Sequence, residues 1–133
     1  LDNAKKAFEY IINAYSANNF KLLEGLLDKT LYQEYKKDID LRLNKKEKLE
    51  ITLIGLKDPS LIDVKMKKIK KENVAEISLE YSSEQIHVLK NHNDEVVDGD
   101  TNQILDIKEN WTFIRKLNSK NPNWTLLKIS ETK

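Results

Sequence analysis

Residues 104–117 read ILDIKENWTFIRKL. Leu105, Ile107, Trp111, Phe113 and Leu117 fall on one face at a period of two, and Asp106, Lys108, Asn110, Thr112 and Lys116 fall on the other. That alternation predicts a half-buried antiparallel strand, because a helical spacing would point the two rings in different directions. Glu109 and Arg115 share the face of the rings and interrupt an otherwise apolar row. Downstream, Asn121-Pro122-Asn123 predicts a hairpin turn, and Trp124, Leu126 and Leu127 begin a returning strand. Both tryptophans are expected in the core by residue type.

A chain of 133 residues predicts one domain, residues 1–133, able to bury roughly 68% of its unfolded surface without a metal or disulfide. It contains no cysteine, which removes thiol chemistry and thiolate zinc sites but leaves the compartment open. The 23 Lys and Arg against 22 Asp and Glu give a net charge of +1, so a nucleic-acid or membrane partner has to be met by a local patch. A 34% charged and 39% hydrophobic composition suits a globular domain. No apolar run approaches the roughly 20 residues of a membrane-spanning helix. The first residue is Leu1, as expected of a processed or truncated piece.

Helices are expected over about residues 3–46 and the sheet over about 49–131. Asp2 or Asn3 would cap a first helix with an apolar stripe of Ala4, Phe8, Ile11, Ile12 and Tyr15, ended at Asn18 and Asn19. A short leucine-rich second helix, Phe20 to Leu27, reads as a packing wedge covered by the sheet and a neighbouring helix. Thr30 and Gln33 have capping-box spacing for a third helix that buries Leu31, Tyr32, Tyr35, Ile39 and Leu43.

From Leu49 the period becomes two: Leu49, Ile51 and Leu53 form a strand, a break falls at Lys57-Asp58-Pro59-Ser60, and Ile62, Val64 and Met66 continue it. Gly55 and the proline predict a bulge or bend. Ala75, Ile77, Leu79 and Tyr81 form the inner face of a longer strand, Glu76, Ser78 and Glu80 its outer face, with a second bulge expected near Ser82-Ser83. Residues 91–102 read as an acidic hairpin loop. Three helices followed by a curved antiparallel meander of about four strands make an α+β fold.

The acidic loop lacks the ligand ladder and terminal glutamate of an EF-hand, and His87 and His92 are badly spaced for a shared metal, so no metal or cofactor is expected. A carboxylate in the pocket of a curved sheet can serve as a general base, and Glu109 is the one candidate; the alternative is an ion pair with an arginine or lysine across the sheet. Two basic groups stand out: Arg42, Lys45, Lys46 and Lys48 at the end of the third helix, and Lys65, Lys67, Lys68, Lys70 and Lys71 around Met66 and Ile69. Together they could face anionic phospholipid head groups, at about 1 kcal/mol per cation. Helix-end stabilisation and protection of an edge strand are the alternative roles. Basic and aromatic residues are not interleaved as in single-strand nucleic-acid binders, so no nucleic-acid partner is expected.

The opening AFEYIINAYSANNFKLLEGLLD, the following TLYQEYKKDIDLR, and the pair ENWTFIRKL and NPNWTLL together resemble the C-terminal domain of the mitochondrial import inner-membrane translocase subunit Tim-forty-four and its bacterial relatives. The most specific part is an acidic residue two before Trp-Thr-Phe-x-Arg, then Pro-x-Trp-x-Leu: here Glu109, Trp111, Thr112, Phe113, Arg115, Pro122, Trp124 and Leu126. The resemblance implies a cone-like fold of the nuclear-transport-factor-two superfamily, with helices packed into a strongly bent sheet. It also implies a peripheral protein on the matrix or cytoplasmic side of an inner membrane, with protein partners in translocation or assembly. The abundance of Lys, Asn and Ile suits a bacterial homologue. The same superfamily hosts isomerases and dehydratases, which is the competing expectation.

Overall fold

Glu72–Lys90 forms one continuous 19-residue strand on which the rest of the sheet is assembled. The computed structural model describes residues 3–118, 120 and 123–131. In chain order the elements are α1 (Ala4–Ser16), α2 (Phe20–Leu26), α3 (Lys29–Asn44), β1 (Lys48–Leu56), β2 (Ser60–Ile69), β3 (Glu72–Lys90), β4 (Val96–Gly99), β5 (Leu105–Lys116) and β6 (Thr125–Glu131). The sheet has six antiparallel strands rather than about four. Along one edge of β3, β2 pairs with residues 72–80 and β1 with residues 83–90; along the other, β5 pairs with residues 74–85 and β4 with residues 88–90, and β6 lies outside β5.

The expected break at Lys57-Asp58-Pro59 therefore separates two strands that follow the same edge in succession, bridged by the Lys57 N–H donating to the Ser82 carbonyl at 3.0 Å. A bulge forms at the expected place beside Gly55, where Leu53 pairs with Gln85 and Gly55 with Glu84. The second expected bulge, in β3 at Ser82-Ser83, is absent: residues 74–85 run in unbroken register with β5, and the irregularities fall in the neighbours β1, β2, β4 and β6. Ser83 and Gln85 simply continue the inner row as buried polar residues, which is why apolar periodicity fails there. The acidic segment holds a strand of its own, β4, because the Asn91 side chain accepts from the Asn93 and Glu95 N–H groups and closes a tight turn.

Three inner rows cross the sheet and make the core: Leu79, Trp111 and Ile129; Ile77, Phe113 and Leu126; and Tyr81 beside Glu109. Helix α1 lays Phe8 on them, its ring 4.7 Å from Tyr81 and 4.6 Å from Trp111. Ile11, Leu23 and Ile39 complete a fully buried cluster. Ser16 ties α1 to β1, donating to the Leu49 carbonyl and accepting from the Ile51 N–H. The Asp28 N–H bonds to the Leu126 carbonyl at 2.8 Å, fixing the α2–α3 junction to β6.

The ends of α1 fall at the expected residues, and the start of α3 is displaced by two. Asn3 precedes α1 without a side-chain cap and the alternative, Asp2, lies outside the described residues; Asn18, at φ 57°, ends the helix, and Asn19 caps α2 through the Leu22 N–H. Asp28 caps α3 by accepting from the Thr30 N–H, so the expected Thr30–Gln33 box does not form: Thr30 is already helical. Leu43 and Leu22, expected inside, are exposed, as is Leu117 at the end of β5. Residues 121 and 122 of the expected turn before β6 lie outside the described residues.

Candidate interaction surface

Directly opposed residues of an antiparallel pair share a face, so the inner rows can be followed outward from the core into β2. Trp111 and Leu79 lead to Leu61, Phe113 and Ile77 lead to Val64, and Arg115 and Ala75 lead to Met66. Exposure rises steeply along the rows: Phe113 is 2% exposed and Val64 55%; Trp111 is 0% and Leu61 60%. The helices pack against β1 and β6 and leave this corner of the inner face uncovered. Every residue of β2 is exposed, and its outer edge has no strand partner among the described residues.

On and beside this strand lie Lys65, Lys67, Lys68, Lys70 and Lys71, all exposed. Lys65 pairs with Asp63 at 3.6 Å and Lys67 with the buried Glu76 at 3.0 Å. Glu76 was expected in solvent; at the centre of six strands, neighbouring side chains cover the outer face as well, and Thr112, hydrogen-bonded to Ser78, is buried there too. Lys68, Lys70 and Lys71 form no ion pair among the described residues. Lys70 and Lys71 occupy the two central positions of the β2–β3 hairpin turn with φ 51° and 69°, where Ile69 pairs with Glu72. Two left-handed residues are the requirement of a type I′ turn, met far more easily by Asn-Gly.

The other basic group does not stay together. Lys45 and Lys46, between α3 and β1, and Lys48, the first residue of β1, are exposed. Arg42 instead turns inward: its Nη1 donates to the Tyr15 hydroxyl at 3.0 Å and its Cζ lies 4.7 Å from the Tyr15 ring centroid. Sequence spacing cannot distinguish an arginine packed on a ring from one in solvent.

Of the motif residues, Trp111 and Phe113 are buried and Trp124, Arg115 and Glu109 are half-buried. Glu109 meets neither expected partner. No ion pair to arginine or lysine forms among the described residues; its Oε1 accepts from the Trp111 indole N–H at 3.3 Å, and Glu131 lies opposite on β6. Burial pushes its carboxyl above the ordinary carboxylate value, with the indole bond opposing and Glu131 adding to the rise. Tyr35 is raised as well, by burial first and then by Glu109. His87 is half-buried with Nε2 2.6 Å from Gln85 Oε1, and burial lowers its pKa. Among the described residues no group of three or more His, Asp or Glu is placed to hold a metal, and no helix is long and apolar enough to cross a membrane.

No curated protein matches this sequence. A solved structure, the intermembrane space region of chloroplast protein ARC6, is similar in fold: 14% identity, TM-score 0.66, with 98% of this chain and 94% of that chain covered. The family profile described as Tim44-like domain matches residues 1–131. Tim44-like domains are membrane-associated peripheral domains linked to protein translocation, and the chain belongs to this family.

Proposed function

We propose that the chain is a non-enzymatic scaffold, one domain over residues 1–133, peripheral to an inner membrane on its cytoplasmic or matrix face. A bacterial origin fits the composition. The lid over one side of a sheet whose outer strands carry bulges supports a cone-like, nuclear-transport-factor-two-like form. The β2–β3 hairpin is the membrane-facing arm: its lysines meet anionic phospholipid head groups and Leu61, Val64 and Met66 enter the interfacial layer. Lys45, Lys46 and Lys48 lie toward the opposite end of β3, where Lys48 pairs with Lys90, and offer a second, separate basic group to anionic lipid; protein partners of a translocation or assembly machinery use the remaining surface.

The observation that carries this reading is the continuation of the core's apolar rows into an uncovered strand flanked by lysines. Exposed apolar area of this kind marks an interaction site. Three lysines without ion pairs, at about 1 kcal/mol each on an anionic leaflet, favour binding by roughly a hundredfold. The enzymatic alternative draws no support from Glu109, which lies outside the walls of the clefts around Arg42 and Arg115. Vesicle flotation tests the proposal: recovery with anionic vesicles that falls with added salt is expected, and equal recovery on neutral vesicles would defeat it.

A further inference from the structure

We propose that the cleft between the end of α3 and the β4–β5 connection binds a monocarboxylate with an apolar body, held by the side-on edge of the Arg42 guanidinium. The site lies toward the opposite end of β3 from the β2 arm and does not depend on the membrane reading.

A guanidinium presents two parallel N–H donors along its Nε–Nη2 edge, matched to the two oxygens of a carboxylate. Tyr15 already fixes the group from another direction, its hydroxyl accepting from Nη1 and its ring facing the guanidinium carbon. Nε and Nη2 are buried and have no hydrogen-bond partner among the described residues. No carboxylate of the described residues lies within ion-pair distance of Arg42. Buried donors left in this condition are rare in folded proteins and point to a ligand group. Shielding from bulk water also strengthens a charge pair formed there.

The cleft measures about 450 Å³ and is lined by Arg42 together with Leu49, Leu89 and Leu105. Those leucines select an apolar body behind the acid group. Asp98 and Asp100 stand in the same wall, each with one oxygen accepting from its own turn, at Gly99 N–H and Asn102 N–H. Their charge opposes entry of any anion and opposes polyanions most, so the anion best tolerated carries one negative charge. Nε and Nη2 are closed to solvent in this structure, so carboxylate binding requires the end of the Arg42 side chain to turn toward the cleft, with Tyr15 still engaging Nη1.

The test titrates the whole chain with sodium hexanoate, with hexanol to isolate the apolar body and inorganic phosphate to isolate the charge. The readouts are calorimetry and the Arg42 Nε–H resonance. Hexanoate should bind saturably and shift that resonance, hexanol should not shift it, and phosphate should bind more weakly. Arg42→Gln should weaken hexanoate about tenfold or more, and Arg42→Lys, which keeps the charge and loses the paired donors, should lose most of the same affinity. The resonance in the unmodified chain decides the matter even if both variants fold poorly. A resonance unmoved by hexanoate, or hexanoate affinity equal in a folded Arg42→Gln variant, would overturn the site; tighter binding of phosphate would overturn the carboxylate assignment.

Discussion

The hydroxyl of Tyr81 on β3 donates a buried 2.8 Å hydrogen bond to the carbonyl of Ala4 in the first turn of α1, joining residues 77 positions apart. This bond sets where the lid begins, and Phe8, one turn later, is clamped between the Tyr81 and Trp111 rings. Tyr81→Phe removes this bond and leaves the carbonyl its intrahelical one, so stability should fall by about 0.5–1.5 kcal/mol. Phe8→Ala should cost about 3–5 kcal/mol by opening a cavity between the rings. Denaturant titration of both variants measures the two losses.

Alkaline stability follows from the same tyrosine. Burial raises the Tyr81 and Tyr35 phenols above the ordinary value of 10.0. Below that value neither state ionises; as pH rises beyond it, the unfolded chain releases protons that the folded chain retains, so stability declines. Tyr35→Phe should flatten that decline, and thermal melts at stepped alkaline pH would reveal it.

Glu109 behaves in the corresponding way at lower pH. Its carboxyl is raised by burial, so its contribution is full below the ordinary value of 4.5 and is lost as pH rises through the raised folded value. Glu109→Gln keeps an acceptor for the Trp111 indole and removes the desolvated charge. The variant should melt higher than the parent at neutral pH and match it in acid; melts at both pH values give the comparison.

Much of the fold is legible in local sequence, and the exceptions share a cause. The alternation through Trp111 and Phe113 and the helical stripe through Phe8 and Ile11 report one buried face each, which pattern reading detects well. Six strands emerge where about four are expected because the break at Lys57-Asp58-Pro59 separates β1 from β2, and because β4, short and set in an acidic segment, is held by side-chain turns and by pairing to distant residues. The lysine cluster around Met66 is visible in the sequence. That its strand is uncovered depends on how far the helices reach, which no local pattern encodes. The packing of Arg42 on Tyr15, apart from its basic neighbours, is likewise a tertiary contact that no local pattern encodes.

Gly99 makes β4 a sensitive element. At φ 81°, a Cβ there would stand 2.2 Å from the His87 carbonyl oxygen, against backbone that cannot give way. Gly99→Ala should detach β4 from β3 at a cost of about 1–2 kcal/mol in backbone strain alone. Hydrogen exchange should show lost protection in residues 88–90 while the rows at Trp111 stay protected.

The membrane-facing arm is tested most directly by position, since the chain has no cysteine to interfere with labelling. Met66→Cys and, on the exposed side of α1, Glu9→Cys would each carry a nitroxide, and its accessibility to a water-soluble relaxant would be measured with anionic vesicles. The account predicts that the Met66 label becomes shielded, that salt reverses the shielding, and that the Glu9 label stays accessible. Shielding at Glu9 with Met66 left open, or no shielding at either position, would contradict it.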